Sequence, residues 1–342
     1  MIAVSRFNLL FFCICLTPAA GVVAGSIPVA PPAALACDPA KVMGVESCVK
    51  CHASEVRTWQ MTPHSKTFDE LHRRPEAKQI ASKLGLRSIK NDGRCVKCHY
   101  TQQSSGAGDQ PHVIAGVSCE SCHGAAKDWL TLHNDYGGPG ITKLAESPAH
   151  RQQRLSASVA GGMRNPVNVF SVAQSCLRCH TTGDEELVNV GGHSAGTLEF
   201  EFVSWSQGMI RHNFLQTDGA SNTVSPPERL RVMFVAGMIA ELEASMRATA
   251  GATQKAAYGI TSAQRTARAG ARLQSVAAKV QDDRLNKIVA IFEVVTLKLN
   301  NQAQLTRGAE MVSALGHSFA ADNDGSSLTA LDPFIPARDR WK

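Results

Sequence analysis

The five-residue unit Cys-x-x-Cys-His occurs four times in the chain, as Cys48/Cys51/His52, Cys95/Cys98/His99, Cys119/Cys122/His123 and Cys176/Cys179/His180. Two thiols three residues apart lie on one side of a helical turn, and the imidazole that follows comes from the same turn. The thiols can add to the two vinyl groups of one haem while the adjacent imidazole meets its iron. One copy would leave a structural zinc site or a dithiol redox pair open. A zinc ribbon has no need of a His directly after its second Cys, and here all four copies have one, which favours four covalently attached haem c groups.

A haem held this way has one axial position filled and one undecided. A second His closes the iron and suits electron transfer, whereas an open position admits substrate. The chain has 12 histidines, and outside the motifs stand His64, His72, His112, His133, His150, His193, His212 and His317. Context favours four as distal ligands. His64 ends Trp59-x-x-Thr-x-His at the start of an expected helix, and His133 follows His123 by ten residues. His193 and His212 flank the apolar stretch 200–205 downstream of the last motif, and His112 is the reserve. His72 and His150 sit among charged neighbours and His317 lies in a haem-free region, so these read as ordinary histidines.

The elements that must position these residues are short. From Cys37 to about His212 the sequence is rich in turn clusters, and short helices are expected to carry the motifs. Helical spacing runs from Pro63 towards Leu84, with Pro75 expected to split it, and the only strand pattern is at 198–203. Near Asp218-Gly219 the composition changes. Ser225-Pro226-Pro227-Glu228 has the form of a capping box, followed by an apolar stripe of Leu230, Phe234, Met238, Leu242 and Met246. Further helices are expected at 253–280, 282–305 and 306–320. The fold class is therefore mainly α: a loop-rich multihaem cytochrome domain at 46–217, then an antiparallel helical hairpin or bundle at 225–320 and a tail at 321–342. More apolar stripe is present than one hairpin must bury, so self-association through these helices is expected.

Residues 1–24 read as a secretory signal, with Arg6 before an apolar run and small residues after it, and 25–45 as a Pro-rich linker. Export suits haem attachment, which takes place outside the cytoplasm. The apolar runs, including 232–240, are too short to span a bilayer, so no transmembrane span is expected after signal removal. Of the 11 cysteines, Cys13 and Cys15 fall in the leader. Cys37 ends a loose lipoprotein-type box that lacks the usual Leu and lies far from the apolar run, which disfavours a lipid anchor. The formal charge of +6 is offset by haem propionates, and the basic residues form no stripe with interleaved aromatics, so nucleic acid is not an expected partner. Aromatic residues are only 6% of the chain, as is reasonable if porphyrins supply the large flat apolar bodies.

Trp59-Gln60-Met61-Thr62-Pro63-His64, then Gly116-Val117-Ser118-Cys119-Glu120-Ser121-Cys122-His123-Gly124, with His133 at its spacing, closely resemble the tetrahaem cytochrome c-554 family over roughly residues 46–214. The resemblance implies a mostly helical protein with stacked haem pairs that takes electrons from a multihaem hydroxylamine-oxidising enzyme. It also implies three haems with two His ligands and one five-coordinate haem. By position it assigns His64, His133 and His212 as distal ligands. Two departures stand out: the additional His193, and the helices from Ser225 onward.

Two functions follow as expectations. In the favoured one the protein is an exported electron carrier between redox proteins, with mostly bis-His haems and no catalytic residue. In the alternative it is an enzyme whose haem on Cys95/Cys98/His99 stays five-coordinate and binds or reduces a small nitrogen species such as nitric oxide, with Arg94 or Arg178 beside it.

Overall fold

The computed structural model describes residues 37–106 and 108–342. The expected signal, most of the linker, and Cys13 and Cys15 lie outside the described residues.

The motif-bearing part is a string of short, individually capped helices. Motif one lies on α1 (Glu46–Val49) and the turn after it, followed by α2 (Ala53–Gln60). Helix α3 (Pro63–Glu70) starts with Pro63 in the first turn, and Thr62 Oγ1 accepts from Ser65 N–H. A 3₁₀ turn, then Arg74 held extended by the following Pro75, separates α3 from α4 (Pro75–Lys83), the split expected of that proline. Motif two forms α5 (Gly93–His99), capped by Asp92, and leads into the antiparallel pair β1 (Thr101–Gln103) and β2 (His112–Ala115). Motif three is α6 (Cys119–His123), where Ser118 N–H donates to Ser121 Oγ in a capping box. Helices α7 (Pro148–Ala160) and α8 (Val169–His180) follow, and α8 carries motif four at its C-terminal end. Then come α9 (Glu185–Asn189) and α10 (Phe202–Ser206).

The strand expected at 198–203 does not form. Phe200, Phe202 and Val203 are buried from a turn and the start of α10, and the Glu201 carboxylate caps that helix by accepting from Val203 N–H and Ser204 N–H at 3.0 and 2.7 Å. With this cap and no neighbouring strand to pair with, the alternating pattern serves a helix start.

The C-terminal helices are α11 (Pro227–Ala250), α12 (Ala257–Ala277), α13 (Asp283–Val294) and α14 (Gln302–Asp322). The expected capping box is not made, because α11 starts after Pro226 and Ser225 Oγ accepts instead from Asn213. The helix expected to run to residue 305 stops at Val294. Asn300 takes a left-handed φ of 56°, and Asn301 donates to Thr296 O, closing a turn before α14.

Helix α11 is apolar nearly all round and is buried as the centre of this bundle, against α8, α10, α12 and α14. The stripe from which self-association was expected is therefore occupied within the chain, with Phe234 and Met238 buried. One core includes Phe170, Ala173 and Leu177 of α8 together with Met238, Leu242, Leu273, Ile288 and Val312 of the C-terminal helices. Packing thus crosses the composition boundary near residue 220. Gly316 of α14 shows how close the approach is, since a Cβ there would lie 2.5 Å from the Phe170 ring. Among the described residues no helix is long and apolar enough to cross a membrane.

Candidate haem sites

Each motif histidine faces one histidine from elsewhere in the chain. His52 and His133 have ring centroids 6.3 Å apart, His64 and His180 6.2 Å, His99 and His193 6.2 Å, and His123 and His212 6.1 Å. A metal–imidazole bond is about 2.0 Å and a ring nitrogen lies about 1.2 Å from its centroid, so two imidazoles on opposite sides of one iron have centroids about 6.4 Å apart. The four gaps have the width that an axially ligated iron needs. Among the described residues no three His, Cys, Asp or Glu side chains converge on a metal position. Each pair could therefore hold an iron whose remaining ligands come from another group, such as a porphyrin.

Hydrogen bonds orient the imidazoles. The Nδ1 atoms of His133, His193 and His212 lie 2.6, 2.8 and 2.7 Å from the carbonyls of Leu130, Ser194 and Ile210, and that of His123 lies 3.4 Å from Arg164 O. A carbonyl only accepts, so in each ring Nδ1 carries the hydrogen and Nε2 keeps its lone pair free for a metal. His180 Nδ1 pairs with Thr197 Oγ1 at 3.0 Å, and His52 Nδ1 is 3.7 Å from Glu55. Burial holds His64 and His133 below the ordinary imidazole range and pushes His99, His123 and His180 down to about 4, which keeps these rings neutral. Trp129 stands edge-on to His133, and Phe200 and Trp205 box in His180.

The remaining histidines face no motif histidine. His112 is exposed on β2, His150 pairs with Glu146 at 2.9 Å, His72 sits in the turn after α3, and His317 packs edge-on against Phe170. Arg94, named for the open-site alternative, is engaged by Asp184 at 3.6 Å and by Glu186. Cys37 Sγ lies 2.9 Å from Glu120 O.

The motifs touch each other out of sequence order. The Cys48 thiol contacts that of Cys119, and the Cys98 thiol contacts that of Cys179, joining motif one to three and two to four. Ser175 Oγ donates to Cys122 O at 2.9 Å, joining three to four.

Three supporting residues carried no signal in the sequence, because their partners are far along the chain. Glu120, inside motif three, accepts from the N–H groups of Met43, Gly44 and Ala126, each at 2.8 Å. Arg164 donates to Cys122 O at 2.8 Å and Ser121 O at 2.9 Å, closing the C-terminal end of α6. Arg265 of α12, 1% exposed, donates to His180 O at 2.9 Å and lies 3.3 Å from Glu241. Burial lowers its pKa from the usual guanidinium value. A Cβ at Gly196 would lie 2.5 Å from His180 O and 2.8 Å from the Arg265 guanidinium, so this contact requires glycine there.

Several buried donors have no protein partner: Arg178 Nε within motif four, Trp129 Nε1 beside His133, Trp205 Nε1 beside His180, and Arg265 Nη2. Unpaired donors at these positions suit the carboxylates that a haem carries.

Repeated haem-attachment motifs on a mainly helical frame define a c-type cytochrome, which holds haem covalently and moves electrons. Residues 47–124 match the family described as cytochrome c554 and c-prime. Over 143 residues the chain is 31% identical to cytochrome c-554 of Nitrosomonas europaea, covering 40% of this chain and 56% of that protein. Over 129 residues it is 26% identical to the C-type polyheme cytochrome OmcB of Geobacter sulfurreducens, covering 32% of this chain and 16% of that protein. The chain thus spans about half the length of the first relative and a small part of the second. No solved structure matches. In its motif-bearing part the chain is similar to the cytochrome c-554 family.

Proposed function

We propose that this protein is an exported carrier that holds four haems, closes each with two imidazoles, and passes electrons between redox proteins. The ligand pairs are His52 with His133, His99 with His193, His123 with His212, and His180 with His64. The covalent anchors are Cys48, Cys51, Cys95, Cys98, Cys119, Cys122, Cys176 and Cys179. When bound, haem supplies reversible one-electron chemistry at iron.

The observation that carries this reading is the set of four histidine gaps of 6.1 to 6.3 Å. The chain's own part is to fix the rings: Nδ1 hydrogen bonds orient His123, His133, His180, His193 and His212, burial keeps His64, His99, His123, His133 and His180 neutral, and Trp129, Phe200 and Trp205 wall His133 and His180. A site closed by two protein nitrogens has no room for substrate, so the reaction ends at electron transfer. Contacts between motifs support a path that runs one, three, four, two rather than in sequence order. Cys51 is exposed, which supports the first site as one end of that path.

The five-coordinate alternative centres on Cys95/Cys98/His99, and the placement of His193 opposite His99 favours the carrier over it. Export is supported by the need to attach haem outside the cytoplasm. The partner class suggested by the family resemblance is a multihaem oxidoreductase. The test is carbon monoxide added to the reduced protein. Binding that requires displacement of an imidazole, and is therefore slow at every haem, supports the carrier; rapid binding at one haem in the unaltered protein supports the enzyme.

A further inference from the structure

His193 lies in the stretch 190–201, which has no helix or strand of its own. Its backbone hangs from α9: His193 N–H donates to Leu187 O and Gly192 N–H to Val188 O, both at 3.1 Å. The position of His193 is therefore the position of α9. That helix is five residues long, far too short to hold its place alone.

Helix α4 approaches the turn after α9, where a Cβ at Gly191 would lie 3.0 Å from the Leu84 side chain, and two further neighbours grip α9 by polar contacts. On the side of motif two, Arg94 and Lys97 pair with Asp184 at 3.6 and 3.7 Å, and these contacts are partly open to solvent. On the other side stands the C-terminal bundle. The Glu185 carboxylate accepts from the N–H groups of Thr253 and Gln254, both at 3.1 Å, and from Thr253 Oγ1 at 2.5 Å. Asn189 Oδ1 accepts from Tyr258 N–H at 2.9 Å, capping the first turn of α12. Between these two contacts Val188 is buried against Ala248, Ala252 and Tyr258.

We infer that the C-terminal helices act as the positioning frame for His193: by gripping α9 at Glu185, Val188 and Asn189 they keep that imidazole opposite His99 and so keep the second site closed. This rests on the reading that His193 and His99 share one iron. The additional histidine and the additional helices are then one device, since the ligand is held in place by the helices that follow it in sequence. Glu185 and Asn189 are positioning residues that touch neither ring.

The experiment uses the full-length haem-loaded chain. The double variant Glu185→Ala/Asn189→Ala is compared with His193→Ala and with Leu285→Ala, which weakens the bundle core away from α9. The readouts are rapid carbon monoxide binding to the reduced protein and the high-spin signal of the oxidised protein, neither of which a loss of general stability alone would move. Each lost hydrogen bond shifts a local equilibrium several-fold, so the double variant is expected to raise the rapidly binding fraction at one haem by about tenfold or more. His193→Ala opens that haem fully, and Leu285→Ala leaves it closed while lowering the unfolding midpoint.

If His193→Ala opens the haem and the double variant does not, the positioning role is wrong and the ligand assignment stands. Equal opening by Leu285→Ala also overturns it. If His193→Ala changes nothing, the ligand assignment itself fails. Should the double variant not accumulate, Glu185→Gln carries the same expectation.

Discussion

Arg265→Met tests how the C-terminal helices support the fourth site. The guanidinium is 1% exposed, sits 3.3 Å from Glu241 and donates to the carbonyl of His180. Breaking a buried ion pair by removing one partner costs about 3–5 kcal/mol, because the other charge is left uncompensated. Two features place this case at the lower end. Glu241 keeps Arg272 at 3.0 Å, and His180 O keeps Thr197 N–H at 2.9 Å, so neither acceptor is orphaned. The expected loss is about 3 kcal/mol, read from denaturant midpoints followed at the haem absorbance. Because Glu241 stays paired with Arg272, Arg265→Met/Glu241→Gln should recover only part of that loss. Taking a positive charge away from one iron should also lower the reduction potential of one haem and leave the others in place. A loss below about 1 kcal/mol, or a double variant no better than the single one, would mean that Arg265 does not hold the fourth site through this buried pair.

Cys98→Ala should remove one covalent anchor and lower the haem count by mass, while a wild-type mass with fewer than four haems would contradict the stoichiometry. Glu146 is held down to about 2, mainly by Arg154, whose Nη1 also donates to the carbonyl of His133 at 2.7 Å. A depressed carboxylate contributes stability above its unfolded value of about 4.3 and loses it as pH falls towards about 2. Acid titration followed at the haem spectrum should therefore show a step in that window, and Glu146→Gln should abolish it. Gly316→Ala drives a methyl into the Phe170 ring and should cost about 1–3 kcal/mol in thermal unfolding without changing the haem spectrum, because it strikes α8 two turns from the motif.

The four Cys-x-x-Cys-His motifs were readable because the chemistry they would serve fixes a local spacing. So were the histidines placed to face them, but not which faces which: His64, close to motif one, stands opposite His180 of motif four. Such pairings depend on how short helices stack, and no periodicity encodes that. Local patterns also misled where a long-range partner changed their use. Alternation at 198–203 became a capped helix start, and Ser225 serves Asn213 rather than α11. Arg265 and Glu120 were invisible for the same reason, since each acts on atoms far away in sequence. The C-terminal helices read correctly as helices from spacing, although the capping box at Ser225 is not made and the third helix stops at Val294. Their grip on α8 and α9 appears only when the core is seen to cross the composition boundary near residue 220.

Closure of every iron by two imidazoles is read from an electron paramagnetic resonance spectrum of the oxidised, fully loaded protein. Four low-spin ferric haems and no high-spin signal above a trace are expected. A high-spin signal amounting to one haem per chain would contradict it and restore the open site at Cys95/Cys98/His99.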